Sequence, residues 1–199
     1  MKRLLLASGS PWRLSLLLDA GIPCEAMSPE VDEGGITASD PRAMALARAT
    51  AKAVDVARRA PGALVVGADQ VAHLDGESFG KPRDAEDWLR RLRALRGRAH
   101  TLSTGVALVE DGQIEGFVVD SVVRFRADLA EDELLAYIAT GEARGCAGGY
   151  MIERRGAWLL ESIEGDWWNV VGLPLLPLLD RLRARGWRMQ DALSPVHGG

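Results

Sequence analysis

The sequence is poor in cysteine, in long apolar runs and in surplus positive charge. Its two cysteines, Cys24 and Cys146, have no metal-ligand spacing. With no disulfide framework and no export signal they read as reduced thiols of a cytoplasmic protein. The basic start Met1-Lys2-Arg3 is followed by four apolar residues, Leu4 to Ala7, before Ser8-Gly9-Ser10-Pro11. That run is too short for the apolar core of a signal peptide, and no segment approaches the ~20 residues of a membrane span. Lysine and arginine total 24 against 28 acidic residues, a net charge of −4. This argues against a broad nucleic-acid face, though not against a small anion held by a few local cations. The Gly-Lys-Ser/Thr of a P-loop is missing. No internal repeat or clean linker interrupts the chain. At 47% apolar and 26% charged residues it reads as globular: one domain over 1–193 with a loose tail from Ser194 to Gly199.

What the chain does have is organised around Leu64-Val65-Val66-Gly67-Ala68-Asp69-Gln70-Val71. An apolar, β-branched run of this kind predicts a buried strand, ending near Asp69. A carboxylate there is costly unless it is paired, metal-bound or reactive. Ten residues on, Gly80-Lys81-Pro82 places a lysine in a turn. Together they suggest a polyanion site with a metal. The plainer alternative is a turn-capping Asp69 and a solvated Lys81, and the residues alone leave both open.

Leu4 to Ala7 predicts a first strand, then a Ser8-Gly9-Ser10 loop, then a helix with Ser10 at its N-cap, Pro11 at its first position and Gly21 at its stop. Such a loop aims backbone N–H groups and a helix dipole at one point, which favours phosphate; an ordinary βα connection reads the same way. Cys24 to Ile36 is irregular and acidic. Ser39-Asp40-Pro41 opens a long helix with a small-residue face, in which Lys52 reads by default as a surface lysine. His73 to Phe79 predicts a hairpin at Asp75-Gly76, and Asp84 caps a helix whose five arginines, Arg90 to Arg98, form a solvated face. Ala99 to Val109 and Gln113 to Phe125 pair about Asp111-Gly112. Asp128 with Glu131 starts another helix, Ile163 to Gly172 is irregular, and Pro174 opens a final helix. The fold class is α/β, a mixed twisted sheet flanked by helices.

These segments, in order, resemble the Maf family of nucleotide pyrophosphatases. The matching pieces are Leu6-Ala7-Ser8-Gly9-Ser10-Pro11-Trp12-Arg13, Asp32-Glu33, Leu46-Ala47 with Lys52-Ala53, Gly67-Ala68-Asp69, Gly80-Lys81-Pro82, His100 with Thr104-Gly105-Val106, Ala147-Gly148-Gly149-Tyr150 and Val171-Gly172-Leu173-Pro174. The resemblance implies an elongated fold with two lobes around a cleft. It implies hydrolysis of a nucleoside triphosphate to monophosphate and pyrophosphate with a divalent metal, Mg²⁺ or Mn²⁺. Asp69 resembles the family's proton acceptor. Trp12, Gln70 and Glu153 stand where many members have arginine, threonine and glutamine. This trio is similar to the subfamily that hydrolyses 7-methyl-GTP, although Ala147 to Glu153 mixes the loops of two subfamilies.

The chemistry fits those positions. Arg13, Lys52 and Lys81 can neutralise a triphosphate, with the Ser8–Ser10 backbone as a nest. Glu33 and Asp69 are hard oxygen ligands for Mg²⁺ or Mn²⁺. Trp12 suits stacking on the cationic 7-methylguanine and Glu153 suits its paired N–H donors; a core aromatic and a loop charge are the plain alternatives. The expected partner is thus a small nucleotide, with neither nucleic acid nor membrane; a homodimer is compatible with the sequence. The rival functions are the same hydrolysis of dTTP, UTP or another modified base, and a nucleotide sensor with little turnover.

Overall fold

Alternation along two neighbouring strands decides where the helices pack. In the computed structural model, which describes residues 2–38 and 40–192, strand β1 (Leu4–Ala7) lies parallel to β3 (Leu64–Leu74). Leu4, Leu6, Leu64, Val66 and Ala68 point to one face of the sheet, and Leu5, Ala7 and Val65 point to the other. The first face is covered by helices α1 (Pro11–Asp19) and, near the C-terminus, α6 (Leu175–Ala184) through Leu17, Leu178 and Leu182. The second is covered by α2 (Pro41–Arg59), whose Ala45, Ala49, Ala53 and Val56 recur at helical spacing and are fully buried.

Among the described residues seven strands form one sheet, in the order β2 (Glu25–Ala26), β1, β3, β5 (Ala99–Glu110), β6 (Gln113–Phe125), β7 (Leu160–Glu164), with β4 (Glu77–Phe79) also on β3. The β2, β1 and β3 pairs are parallel and the rest antiparallel. This is the expected mixed sheet. Helix α2 can lie close because glycines underlie it: a Cβ on Gly67 or Gly105 would come under 3.0 Å from the backbone at Ala49 or Ala45.

A second core lies toward the other end of β3 and β5. Helices α3 (Ala85–Leu95) and α4 (Glu131–Ala139) bring Trp88, Leu92, Leu134 and Tyr137 against Leu102, Val123 and Phe125. Tyr150, Met151 and Ile152 join them. The clusters on the two faces around β1 make one lobe and this one makes the other, and the long strands β3 and β5 run through both.

Most expected elements are present, including both hairpins, with Asp75 and Asp111 at positive φ before Gly76 and Gly112. Four expectations need correction. Asp69 lies in the middle of β3, not near a strand end, because the strand continues to Leu74. The helix assigned to an Asp128 start begins at Glu131: Asp128 pairs with Arg126, and Glu133 reaches back to the Ala130 N–H at 2.7 Å. The segment read as irregular, 163–172, contains the end of β7 and a short helix, α5 (Trp167–Val171), capped by Asp166, which accepts from the N–H groups of Trp168 and Asn169. That cap outweighs the poor helix propensity of Trp-Trp-Asn-Val-Val. Helix α6 is followed by a further turn, α7 (Met189–Ala192). Ser39 and the tail from Ser194 lie outside the described residues. No described helix is long and apolar enough to cross a membrane.

Candidate active site

A gap in the sheet makes the site. Strand β1 leaves β3 after the Ala7–Gly67 pair, and β4 joins β3 only at the Ala72–Phe79 pair. Between them the edge of β3 from Ala68 to Val71 has no strand partner among the described residues. A cavity of about 560 Å³ opens there, between the lobes. This is ample for a small organic ligand. It is lined from one side by Ser8, Ser10, Trp12, Arg13, Glu33, Lys52, Asp69 and Gln70, and from the other by Lys81, Met151 and Glu153. Every site residue expected from the sequence therefore meets the same cavity.

Asp69 shares the face of β3 that carries α2, and Lys52 comes down onto it from the helix. Lys52 is not a surface lysine: it is 5% exposed, and Asp69 is 7% exposed. Its Nζ donates to Asp69 Oδ1 at 2.7 Å and lies 3.0 Å from Glu33 Oε1. Helix geometry explains the correction, since Lys52 falls in the Ala45, Ala49, Ala53 stripe that faces the sheet. Asp69 Oδ2 is buried without a hydrogen-bond partner, with Arg48 Nη1 3.9 Å away. Arg48 belongs to no motif of the sequence; its one signal there is the i, i+4 spacing that sets it one turn before Lys52.

Arg13 is anchored rather than free. Its Nε donates to the Gly172 carbonyl at 2.8 Å, and its Nη1 to the Ala68 carbonyl at 3.1 Å and to Ser8 Oγ at 3.3 Å. It thereby occupies a carbonyl on the open edge of β3. Burial pushes its guanidinium down from its usual value, and the charges of Asp69 and Glu33 pull it back up. The loop before it is tighter than expected: the Ser8 N–H is taken by the Leu6 carbonyl and the Ser10 N–H by Ser8 Oγ. Ser10 caps α1 in position but not through its side chain. Backbone donors for an anion are thus fewer than a three-residue nest would supply.

Lys81 is exposed, lines the cavity and has no ion-pair partner among the described residues. Gln70 points to the opposite face from Asp69. Its Nε2 donates to the Asn169 carbonyl at 2.6 Å and to Thr104 Oγ1 at 3.1 Å, which fixes it as part of the wall. Trp12 is half-buried against the second core, and Glu153 is exposed at the cavity. The guanidinium of Arg154, which belongs to no motif of the sequence, lies over the Trp12 ring at 5.0 Å from its centroid. His100, a piece of the family pattern, is not in the cavity: it is buried against Phe125 and Tyr150, with Nε2 2.9 Å from the Tyr150 hydroxyl.

Among the described residues no three histidine, cysteine or acidic side chains gather into a metal centre. Glu33 and Asp69 are brought together by their shared lysine. Two carboxylates are hard oxygen donors of the kind Mg²⁺ or Mn²⁺ takes, and Glu33 with Asp69, whose Oδ2 accepts no hydrogen bond among the described residues, would hold such an ion here.

Fold and cavity together define the class: a mixed-sheet α/β protein with a cleft between two lobes, lined by lysine, arginine and carboxylate side chains. The Maf family model, described as Maf-like protein, matches residues 3–185. The chain belongs to this family. It is 46% identical over 187 residues to the nucleoside triphosphate pyrophosphatase of Streptomyces coelicolor, covering 92% of this chain and 90% of that one. It is 43% identical to the dTTP/UTP pyrophosphatase of Symbiobacterium thermophilum, covering 94% and 96%. It is 42% identical to the 7-methyl-GTP pyrophosphatase of Mesorhizobium japonicum, covering 93% and 97%.

Proposed function

We propose that this protein is a cytoplasmic nucleoside triphosphate pyrophosphatase whose substrate is 7-methyl-GTP. The observation that carries the finer reading is the sharing of one cavity by Trp12 and Glu153 with Arg13, Lys52, Asp69 and Lys81. An aromatic ring, and a carboxylate with no ion-pair partner among the described residues, suit a cationic base with two adjacent N–H donors, and the cations suit its triphosphate. Gln70 shapes the wall beside the base.

In this mechanism Lys81, Lys52 and the unspent Nη2 of Arg13 neutralise the phosphates, so that water can approach the α-phosphorus. The N–H groups at the start of α1 add to them. Asp69 presents Oδ2 to that water and takes its proton, while Lys52 on Oδ1 holds the carboxylate in place. The water oxygen bonds to phosphorus as the bond to the bridging oxygen breaks, and pyrophosphate leaves. When bound by Glu33 and Asp69, Mg²⁺ or Mn²⁺ supplies further charge neutralisation on the phosphates.

A second reading, a neutral base such as that of UTP or dTTP, is favoured by Arg154, which already sets a positive charge over Trp12. Pyrophosphate release from 7-methyl-GTP, GTP, UTP and dTTP, in wild type, Trp12→Ala and Glu153→Gln, tests the choice. The expected result is highest kcat/KM on 7-methyl-GTP. Trp12→Ala should lose roughly 1–2 kcal/mol of that preference. Glu153→Gln sets a donor against the guanine donors and should hurt guanine nucleotides most. Equal losses on all four nucleotides would make both residues structural. Stoichiometric binding without turnover would make the protein a sensor.

A further inference from the structure

Arg154 is held over Trp12 by very little. Its Cζ sits 5.0 Å from the ring centroid, yet among the described residues it forms no ion pair. The next residue, Arg155, has Glu142 at 3.8 Å. Arg154 also follows Glu153 directly, and that carboxylate does not hold it either. A guanidinium kept only by an exposed cation–π contact is weakly bound, and an incoming ligand can replace it. Trp12 meanwhile lines the cavity, so its ring is shared between the site and this charge.

We propose that Arg154 is a specificity-determining residue: its guanidinium competes with a cationic base for the Trp12 ring and sets how strongly an N7-methylated guanine is preferred over neutral bases. The proposal rests on the reading above that the base stacks on Trp12. Guanidinium and 7-methylguanine are both flat, delocalised cations that seek the negative face of an indole. On the face Arg154 covers, the methylated base must displace it. On the other face, two like charges flank one ring. A neutral base meets no such repulsion, and arginine stacks well on neutral rings. The penalty is Coulombic, so it weakens as salt rises.

The test compares 7-methyl-GTP with GTP, which differ by one methyl group and one charge. The quantity is the ratio of their kcat/KM values in wild type, Arg154→Gln, Arg154→Lys, and Trp12→Ala with and without Arg154→Gln. Arg154→Gln should raise the ratio by roughly five- to twentyfold, the size of a like-charge contact at this range in a partly solvated site. Arg154→Lys should leave it near wild type. The effect of Arg154→Gln should vanish in the Trp12→Ala background, and high salt should move wild type toward Arg154→Gln. An unchanged ratio, or an equal gain on both nucleotides, overturns the proposal. Inhibition constants of 7-methyl-GMP and GMP against UTP hydrolysis read the same ratio if 7-methyl-GTP is a poor substrate. A wild type that prefers UTP defeats the substrate reading alone, while the shift between wild type and Arg154→Gln still decides the role of Arg154.

Discussion

Lys52 on α2 and Asp69 in mid-β3 form a buried pair, Nζ to Oδ1 at 2.7 Å, across the interface of helix and sheet. The same ammonium reaches Glu33 at 3.0 Å, so one charge organises the two carboxylates of the cavity. Breaking one side of such a pair leaves the other charged and buried. Lys52→Met should therefore destabilise the fold by about 3 kcal/mol or more. It should also lower kcat/KM on every nucleotide tested, because phosphates are common to all. Denaturant unfolding with a four-nucleotide activity panel checks both effects. Loss on one base only would remove Lys52 from the phosphate site.

Asp69→Asn keeps the side-chain volume while removing the proton acceptor. The expected effect is a fall in kcat by about 10²–10⁴ with nucleotide binding retained. Single-turnover rates together with equilibrium binding separate the two quantities. A raised KM at unchanged kcat would show that Asp69 only binds.

The close approach of α2 depends on residues without side chains. A Cβ at Gly105 would come under 3.0 Å from the Ala45 carbonyl and the Leu46 nitrogen, which are backbone atoms that cannot step aside. Gly105→Ala should cost about 1–3 kcal/mol, as overpacking does, and should displace Lys52 with its helix. Gly112→Ala, where no atom lies within 4 Å, tests a different cause, its positive φ. Equal activity losses from the two glycines would argue against the helix-positioning role of Gly105.

The fold was legible where local rules and burial agree. The Asp75-Gly76 and Asp111-Gly112 turns, Pro11 at a helix start and the Asp84 cap all have the structure their chemistry predicts. The residues expected at the site line one cavity, which is how far their grouping could be read from the sequence. What stayed hidden depends on pairing in space. Lys52 looks like a surface residue until Asp69 is known to lie beneath it. Arg48 and Arg154 carry no motif, and each stands out only by its distance to a residue of another element. The α5 helix was hidden behind β-branched and aromatic residues, and its Asp166 cap is what explains it.

Stability should also depend on the protonation of a residue outside the cavity. His100 is buried, and its pKa is pushed down to about 4 from an ordinary 6.5. Below the ordinary value the unfolded chain takes up a proton that the folded chain refuses. Its contribution is fully present above that value and is lost as pH falls toward 4. The slope approaches ~1.4 kcal/mol per pH unit for one such group. His73, pushed down by burial in the same direction, adds to it. Unfolding free energies between about pH 7 and pH 5 should fall in wild type and fall less steeply in His100→Gln. Identical slopes would assign the acid loss to other groups.

The most direct measurement is hydrolysis of 7-methyl-GTP in ¹⁸O-labelled water, with both products weighed by mass spectrometry. Attack at the α-phosphorus, organised by Asp69, puts the label in 7-methyl-GMP and leaves the pyrophosphate unlabelled. Label in pyrophosphate, release of orthophosphate, or no turnover of 7-methyl-GTP would contradict it.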